Sequence, residues 1–497
     1  MTPTYVVALA LTPVLLHALA AAAAEHGHRD RAWRAAEFAA LGAALSAAAA
    51  IVLVLLQGPQ VAAGLRLDAA GTLVGLLVGF IGWVIVRFSH RYLQGEEGER
   101  RYLRLLSGTL AAVSLVLVAD QLLLLWAAWA ATSMTLHRLL RFYEARPAAR
   151  LAAHKKFLSA RLADAALLGA VVLLGLSFDT FSLQAMLQQS IAFNMSVISQ
   201  VGLSLLVLTA LLKCAQMPLH GWLLQVMEAP TPVSALLHAG VVNLGGLVLI
   251  RFAPLLVESP VALGLLAGVA TLTVVLATLV LGTRISVKVA LAWSTLAQMG
   301  FMLLQVALGL PAMALLHLVA HSLYKAHAFL AAGGAVQRRQ VMRLATPSQA
   351  SLPRWAAAAI VLPATAIALG SASGLLVTPS AWLAAGVLGL ALVPLAAAGR
   401  LGATALVMLG WFAGHAAAAS WLGSHALAVP TALPALVAMA LAGLFAVQAA
   451  IVLQPGGSWV RRLYPWAYGG FYVDERISGA LLRLWPAPPV SLASGAR

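Results

Sequence analysis

Charged residues are scarce in this sequence. Asp, Glu, Lys and Arg make up 9% of the 497 residues, 62% of the residues are hydrophobic, and the mean hydropathy is +0.94. A soluble globular domain usually carries about 25% charged residues. The composition therefore excludes a water-soluble protein and predicts a chain that lies mainly in lipid.

Cysteine is nearly absent too, and so is the residue pattern of membrane strands. The single cysteine, Cys214, excludes an intramolecular disulfide bond and an iron–sulfur cluster held by cysteines of this chain. The apolar runs lack the alternation, about ten residues long, that is typical of outer-membrane strands. Backbone polar groups in lipid must then be satisfied within each segment, which predicts helices.

Apolar stretches long enough to cross a bilayer recur along the chain. A spanning helix needs about 20 residues, so we predict an all-α polytopic membrane protein with about 14 or 15 transmembrane helices. The first stretch lacks the basic start of a secretion signal, and we expect it to be a retained helix. The predicted spans are 3–23, 35–56, 72–86, 105–119, 121–140, 162–177, 196–217, 231–250, 261–281, 287–309, 312–336, 353–370, 381–398, 401–421 and 432–453.

Positive charge is concentrated in short loops between these spans. The chain has 31 Lys and Arg against 15 Asp and Glu, a formal net charge of +16. Because the basic loops alternate with loops that contain little charge, they indicate membrane topology and not a nucleic-acid-binding face. The positive-inside rule predicts an outer, periplasmic N-terminus and a cytoplasmic C-terminus, and we expect the membrane to be a bacterial inner membrane. The basic loops hold Arg29, Arg31 and Arg34, then 87–104, 138–156, Arg284 with Lys288, 338–354, and Arg461 with Arg462.

Lys213 and His238 are ionisable residues in two consecutive apolar runs. An ionisable side chain in mid-membrane costs about 2.5–3.5 kcal/mol on insertion scales, so each marks a candidate functional site. Pro218 closely follows Lys213 and predicts a broken helix beside a buried amine, as in the ion sites of transporters. His238 lies inside the helix that Pro230 and Pro232 open, and its titration suits a proton relay. The alternatives are a lysine that extends to the aqueous interface and a structural histidine.

The run 312–336 carries three ionisable residues at helical spacing. His317, His321 and Lys325 stand at i, i+4 and i+8, which predicts one stripe about 12 Å long on a single helix face. Such a stripe could transfer a proton directly or through water. Metal binding is the alternative for the two histidines, but the intervening residues lack the catalytic Glu of zinc proteases.

Other charged residues lie at helix starts. Lys288 opens one apolar run, and Arg161 and Asp164 open another with the i, i+3 spacing of an ion pair. This pair either neutralises charge for structural reasons or takes part in ion transfer. Asp120 and Glu228 are accessory candidates that could equally mark helix ends.

These segments resemble the proton-pumping, antiporter-like membrane subunits of respiratory complex I, multisubunit cation/proton antiporters and membrane-bound hydrogenases. The resemblance covers about 70–450, and its second motif is long and specific. FYVDE at 471–475 is similar to the C-terminal segment of the family. The motifs are KKFLSARLAD at 155–164, LKCAQMPLHGWLLQVMEAPTPVSALLHAG at 212–240, SVKVALAWSTLAQMGFM at 286–302 and HLVAHSLYKAHAFL at 317–330.

The resemblance implies an antiporter-like fold with broken helices. By position, Lys213 matches the family's central lysine, His238 its bridging histidine, and the 317–330 motif its proton-relay helix. Arg161, Asp164 and Lys288 match polar residues around the channel. The implied regions are N-terminal transmembrane helices at 1–104, a proton-conducting core at 105–345, C-terminal transmembrane helices at 346–453, and a cytoplasmic or interfacial tail at 454–497.

Two positions depart from the family pattern. Ala130 stands after Trp129 where the family has a buried Glu on its fifth helix, and 355–375 lacks the lysine expected on the twelfth. A proton channel with two separate entries, as in complex I, is therefore not expected.

The stretches 129–168 and 219–246 resemble one branch of the family most closely, the DabB-type membrane subunits of inorganic carbon pumps. This implies a non-enzymatic transporter subunit that couples a flow of protons, or of sodium ions, to inorganic carbon uptake. It also implies a large soluble partner, DabA, that carries a zinc site resembling β-carbonic anhydrase and hydrates CO₂. No cofactor is expected in this chain itself.

Two other functions remain open. One is a proton-pumping subunit, similar to chain L, of a respiratory NADH-quinone oxidoreductase, a hydrogenase or an Mrp-type antiporter. The other is a structural membrane anchor for a soluble enzyme, which leaves the ionisable residues in mid-span unexplained.

Overall fold

The computed structural model describes residues 4–143, 145–189, 195–334, 351–423 and 426–486. The end of the predicted span 312–336, most of the basic loop 338–354 and residues 487–497 of the predicted tail lie outside them.

Long runs of Leu, Ala and Val give helices along nearly all of the described chain, because intrahelical bonds satisfy the backbone in lipid. The one sheet in the described ranges is an antiparallel hairpin of β1 (Gln60–Ala62) and β2 (Leu65–Leu67). The helices are α1 (Thr4–His26), α2 (Arg29–Gln57), α3 (Ala69–Tyr92), α4 (Glu99–Val118), α5 (Leu122–Leu140), α6 (Pro147–Phe178), α7 (Leu183–Gln189), α8 (Val197–Lys213), α9 (Gly221–Gln225), α10 (Thr231–Ala239), α11 (Leu244–Arg251), α12 (Ala253–Leu256), α13 (Pro260–Leu281), α14 (Val287–Ala307), α15 (Pro311–Leu330), α16 (Leu352–Ala372), α17 (Pro379–Ala397), α18 (Leu401–Leu422), α19 (Ala432–Leu453), α20 (Ser458–Tyr468) and α21 (Val473–Leu484).

The prediction of an all-α multi-pass membrane protein is confirmed. Within the described ranges, 12 helical segments are long and apolar enough to cross a membrane, with α10 and α11 counted as one segment. The predicted 14 or 15 spans exceed this number because α8 has only 17 residues, while α5 and α15 fall short of the same criterion of length and hydropathy. All three nevertheless occupy predicted spans, and α15 carries the polar stripe.

Two helices in the middle of the chain are broken. The helix predicted over 196–217 ends at Lys213, and the chain then turns through Ala215, whose φ is 54°. The Cys214 thiol is fully buried in this turn and donates to the carbonyl of Val242 at 3.0 Å. The span predicted as continuous over 231–250 is interrupted at Gly240, whose backbone leaves the helical region (φ −131°, ψ −70°) before a single 3₁₀ turn leads into α11. The break beside the buried amine was predicted, whereas the second break was not.

Helix packing places these breaks at the centre of the molecule. α6 packs along α8, α10 packs along α15, and α13 packs against both α8 and α14. One large hydrophobic core connects the helices from α3 to α15. The polar side chains of the breaks therefore lie inside the helical bundle, enclosed by this core.

The two ends of the helical bundle differ. At the end where α6 and α14 begin, Lys155 pairs with Asp474 of α21 at 3.1 Å, and Arg284 donates to the backbone carbonyl of Tyr468 at 2.8 Å. The basic starts of α6 and α14 thus share one face with the C-terminal helices. At the opposite end, the β1–β2 hairpin lies against α4 and the start of α5.

Candidate functional site

The first polar cluster surrounds Lys213, at the end of α8. Its ammonium group donates to Asp164 Oδ1 at 2.6 Å and to Ser133 Oγ at 2.6 Å, and it lies 5.3 Å from the centre of the Trp129 ring. The other carboxylate oxygen of Asp164 pairs with Arg161 at 2.5 Å. The Lys213 side chain is only 7% exposed, so it lies between helices and does not extend to the aqueous interface.

Asp164 supplies a carboxylate where the fifth helix has none. The family's Glu on that helix is replaced by Ala130, yet the Lys213 amine has an acidic partner from α6. The predicted Arg161–Asp164 pair is present and extends to Lys213 as a three-residue network. A buried charge is tolerable in this setting because Lys213 is both paired with Asp164 and hydrogen-bonded to Ser133, and Asp164 has Arg161 as a second cation.

Lys156 belongs to the same cluster, although the sequence analysis did not single it out. Its amine donates to the backbone carbonyl of Ser133 at 2.8 Å, and the residue is 5% exposed. Lys156 and Asp164 are eight residues apart on α6, the same i, i+8 spacing that revealed the stripe on α15. This helical spacing is the sequence signal that places Lys156 on the same face of α6 as Asp164.

The second cluster contains the predicted stripe of α15. The rings of His317 and His321 are 6.1 Å apart, and Lys325 is completely buried, with its amine donating to the carbonyl of Leu291 at 3.0 Å. His317 Nδ1 lies 3.1 Å from Gln305 Oε1. The expectation that the three residues share one helix face is confirmed.

His238 joins this second cluster from α10. Its ring stacks on Phe329 of α15, with 4.4 Å between ring centres. The residue is fully buried, and neither ring nitrogen has a partner among the described residues. A buried imidazole without partners is costly in stability, which favours a functional reason for its presence.

Several uncharged polar residues of the clusters were missed in the sequence. The side-chain amide of Asn243, in the 3₁₀ turn before α11, donates to Ser322 Oγ of α15 at 2.6 Å. A cavity of about 600 Å³ between α13–α15 and α17–α19 is bordered by His317, Gln305 and Gln448. Uncharged polar residues are frequent in membrane helices, so they gave no signal by themselves.

Lys288 lies apart from both clusters. It is half-buried at the start of α14, as predicted, and its amine donates to Thr231 Oγ1 at 2.9 Å. Since Thr231 opens α10, this hydrogen bond joins Lys288 to the start of the helix that carries His238.

The two accessory carboxylates are not in the clusters. Asp120 precedes α5 at the opposite end of the bundle, where it accepts hydrogen bonds from Ser182 Oγ at 2.5 Å and from the Gln184 backbone at 3.0 Å. Glu228 ends the 3₁₀ turn before α10. Both therefore mark helix ends.

A separate ion-pair network lies near Asp120. The buried Asp68 carboxylate accepts from Arg66 at 2.7 Å and from Arg251 at 3.0 Å, and its Oδ1 also accepts from the backbone of Gly71. Burial alone would raise the pKa of Asp68, but the two guanidinium groups outweigh it, and the pKa lies below its usual value. The network connects the hairpin, α3 and α11 on the side away from Lys213.

Histidine is the ligand type that a metal site in these clusters would use. In the described ranges, no three His, Cys, Asp or Glu residues come together in a group that could hold a metal ion. The buried groups that do come together, amines, imidazoles and one carboxylate, can exchange protons with one another or with water.

The sequence matches a known family over half of its length. Residues 119–370 match the family described as the transmembrane region of NADH:quinone oxidoreductase and the Mrp antiporter. The protein of Hydrogenovibrio crunogenus named "probable inorganic carbon transporter subunit DabB" is 42% identical over 440 residues, which are 82% of this chain and 81% of that protein. NADH-quinone oxidoreductase subunit L of Mycobacterium tuberculosis is 34% identical over 302 residues, 60% of this chain and 48% of that protein.

Two solved structures have a similar fold. The Mrp complex of a Dietzia species matches with a TM-score of 0.65 and 24% identity, over 97% of this chain and 59% of that one. An archaeal membrane-bound sulfane sulfur reductase matches with a TM-score of 0.60 and 19% identity, over 94% and 97% of the two chains. With the broken helices and the buried amines, the sequence identities lead to one assignment: the chain belongs to the NADH:quinone oxidoreductase/Mrp antiporter family of membrane proteins, in its DabB group.

Proposed function

We propose that this chain conducts protons as the membrane subunit of an energy-coupled pump for dissolved inorganic carbon. A soluble, zinc-containing DabA-type subunit would form a hetero-complex with it and hydrate CO₂ there. The complex would lie in a bacterial inner membrane, with the N-terminus of this chain in the periplasm and its C-terminus in the cytoplasm. Proton conduction is inferred from the Lys213–Asp164–Arg161 network, in which Lys213 and Asp164 are buried. The DabB relatives support inorganic carbon as the substrate.

The first cluster is suited to a switch. Lys213 is stable as an ammonium ion while Asp164 is 2.6 Å away. When the two separate, the ammonium ion loses its counter-charge inside the protein, and release of its proton removes the uncompensated charge. Arg161 can hold Asp164 during this step, because its pair with the other carboxylate oxygen is independent of Lys213.

The second cluster is suited to a relay. Lys325, His321 and His317 follow one face of α15, and the unpartnered ring of His238 lies beside them. Each of these groups can accept a proton and pass it on. Lys288 is the group that would load the relay from the face where α14 begins.

The membrane potential is sufficient to drive uptake. One charge that crosses 100 mV releases about 2.3 kcal/mol. A tenfold concentration ratio requires about 1.4 kcal/mol, so one or two protons could support ratios of one to three orders of magnitude.

A pumping subunit of a redox enzyme is the second candidate, favoured by the likeness to subunit L. Two observations argue against it: Ala130 replaces the fifth-helix Glu, and the described part of α16 carries Arg354 at its start but no lysine. The DabB relative also matches at higher identity and over more of its length.

The decisive test is carbon uptake in a carbonic-anhydrase-deficient bacterium that expresses this chain with its DabA partner. We expect uptake to require both chains and to collapse with an uncoupler, and Lys213→Ala to abolish it while the complex still assembles. Uptake that depends on sodium instead of the proton gradient would identify sodium as the ion. An assembled wild-type complex without uptake would contradict the proposal and favour the redox-linked pump.

His238→Leu separates transport from stability. Leu has a similar volume and no unpaired polar atoms, so we expect thermal stability in detergent to stay equal or to rise by about 1 kcal/mol. Carbon uptake should fall at least tenfold because the relay loses a member. If uptake persists in the stable variant, His238 is not part of the proton path.

A further inference from the structure

A small cavity with several polar groups in its lining lies beside Lys213, on the side of α6 and α9. Its volume is about 20 Å³, enough for one water molecule. The lining is formed by α5, α6, α8 and α9, and it includes both amines of the first cluster. Its polar lining residues are Ser133, Lys156, Ser159, Lys213 and Trp222, with Thr132 at its edge.

Ser133 connects the two amines directly. Lys213 donates to its hydroxyl oxygen at 2.6 Å and Lys156 donates to its backbone carbonyl at 2.8 Å. Lys213 has Asp164 as a partner, whereas no carboxylate of the described chain lies within 4 Å of the Lys156 amine. Lys156 is thus a buried amine with one hydrogen bond and the capacity for two more.

Two further polar atoms of the lining have no partner. Ser159 and Trp222 are each only 5% exposed, and Ser159 Oγ and Trp222 Nε1 make no hydrogen bond within the described ranges. A water molecule in the cavity would accept from the indole N–H and an amine, and would donate to the serine hydroxyl. A cavity that is large enough for one water molecule and lined by several unsatisfied polar groups is one that water can occupy.

We propose that Lys156 is a second proton-carrying residue, connected to Lys213 through one water molecule bound in this cavity. The inference rests on the proposed function, since it extends the route from Lys213 towards the membrane face where α6 begins. When Lys213 leaves Asp164, an N–H bond of its ammonium ion breaks and its proton passes to the water. The water gives up another proton to the neutral Lys156 amine, so that one excess proton moves and no other reactant is required.

The position of the two amines supports this order. Two ammonium ions bound to the same serine would repel each other inside the protein, so only one of them is charged at a time. The ion pair between Lys213 and Asp164 determines which of the two amines is charged. While the pair is closed, Lys213 keeps the proton; when it opens, Lys156 receives it.

Transport by three variants tests the role of Lys156. In the assembled complex, Lys156→Gln should lower uncoupler-sensitive carbon uptake at least tenfold. Lys156→Arg should not restore it, because a guanidinium group keeps the charge but does not release its proton. Arg138→Gln, which removes an exposed positive charge near the same end of α5, is the matched control and should transport normally. Wild-type uptake in Lys156→Gln, or full rescue by arginine, would overturn the proposal; the latter would leave Lys156 a positioning residue.

A second measurement does not depend on transport. A high-resolution cryo-EM map of the wild-type complex should contain a water density within hydrogen-bonding distance of Ser159 Oγ and Trp222 Nε1. Ser159→Val should remove this density and reduce uptake severalfold, whereas Ser159→Ala leaves the space open and should retain the density. An empty or apolar-filled cavity overturns the inference. A wild-type complex that moves no carbon but contains the water contradicts the proposed function and leaves the water site standing.

Discussion

At the scale of single residues, the functional site depends on one shared carboxylate. Asp164 lies between an amine and a guanidinium group, with Lys213 on one oxygen and Arg161 on the other. The two cations therefore depend on Asp164, whereas Asp164 keeps one partner if either cation is lost. Loss of Asp164 should therefore disturb the network more than loss of either cation.

We expect Asp164→Asn to destabilise the protein more than Lys213→Gln. Removing the carboxylate leaves the buried Lys213 amine and the partly exposed Arg161 without their shared partner, and breaking a buried pair such as Lys213–Asp164 costs about 3–5 kcal/mol. Removing the amine leaves Asp164 paired with Arg161 and should cost less. The double variant should be more stable than Asp164→Asn alone, as measured by thermal unfolding in detergent. Equal losses in the two single variants, with additivity in the double variant, would mean that the three residues do not interact.

Residue-level prediction worked best where ionisable groups were rare. Lys213 and the residues of α15 stood out because nothing in an apolar run explains them. Lys156 did not, because it follows Lys155 in a basic loop and appeared to belong to the solvent-exposed end of the helix. Which of two adjacent lysines faces the interior depends on the rotation of α6, and packing against α5 and α8 determines it.

At the scale of helices and strands, the break after α8 and the interruption at Gly240 bring polar groups from distant segments together. Pro218 predicts the first break, because proline has no backbone N–H to donate. The second break falls at Gly240, in a run that is otherwise typical of a continuous helix. Nothing in the sequence marks it, because glycine is also common within continuous membrane helices; it is visible in the backbone angles of Gly240 and in the 3₁₀ turn that follows.

The Asp68 network should make the junction of the hairpin, α3 and α11 sensitive to acid. The pKa of Asp68 is below its usual value in the folded protein, so the unfolded state binds the proton more readily. Its stabilising effect is complete above the unfolded pKa of about 3.9 and is lost as the pH falls through the folded pKa. Asp68→Asn should lower stability at pH 7 by about 3–5 kcal/mol, because Arg251 is left buried without its partner.

Thermal unfolding of the purified protein between pH 3 and pH 7 tests this expectation. The loss of stability that we expect in the wild type below about pH 4 should be much smaller in Asp68→Asn. Glu258→Gln serves as a control, since that carboxylate lies nearby in the chain but outside the network. Identical acid profiles for wild type and Asp68→Asn would refute the assignment.

At the scale of the whole molecule, the two ends of the bundle differ in charge and in the elements that cover them. One end collects basic loops and the C-terminal helices, and the other is closed by the hairpin and the Asp68 network. The alternation of charge predicted this division, because each loop of the same parity falls at the same end. What the sequence could not predict is that α21 returns to contact α6, more than 300 residues earlier, through the pair of Lys155 and Asp474.

Reversal of charge tests this long-range contact. Lys155→Asp or Asp474→Lys alone should place like charges together and release α20 and α21, which would increase proteolysis at 454–457. The combined exchange should restore protection, because the pair re-forms in the opposite sense. The pair is largely but not fully buried, with 11% and 18% of the two side chains exposed, so we expect an effect of about 1 kcal/mol. Failure of the double exchange to protect would indicate that other contacts hold the tail.

The enclosed position of Cys214 has a practical consequence. Its sulfur is fully buried and engaged with the Val242 carbonyl, so a maleimide added to the folded protein finds no target. A cysteine introduced at any exposed loop then becomes the sole reactive thiol without first deleting the native one. The wild-type sequence is therefore already a suitable background for spin labels, fluorophore pairs and sidedness mapping in intact cells.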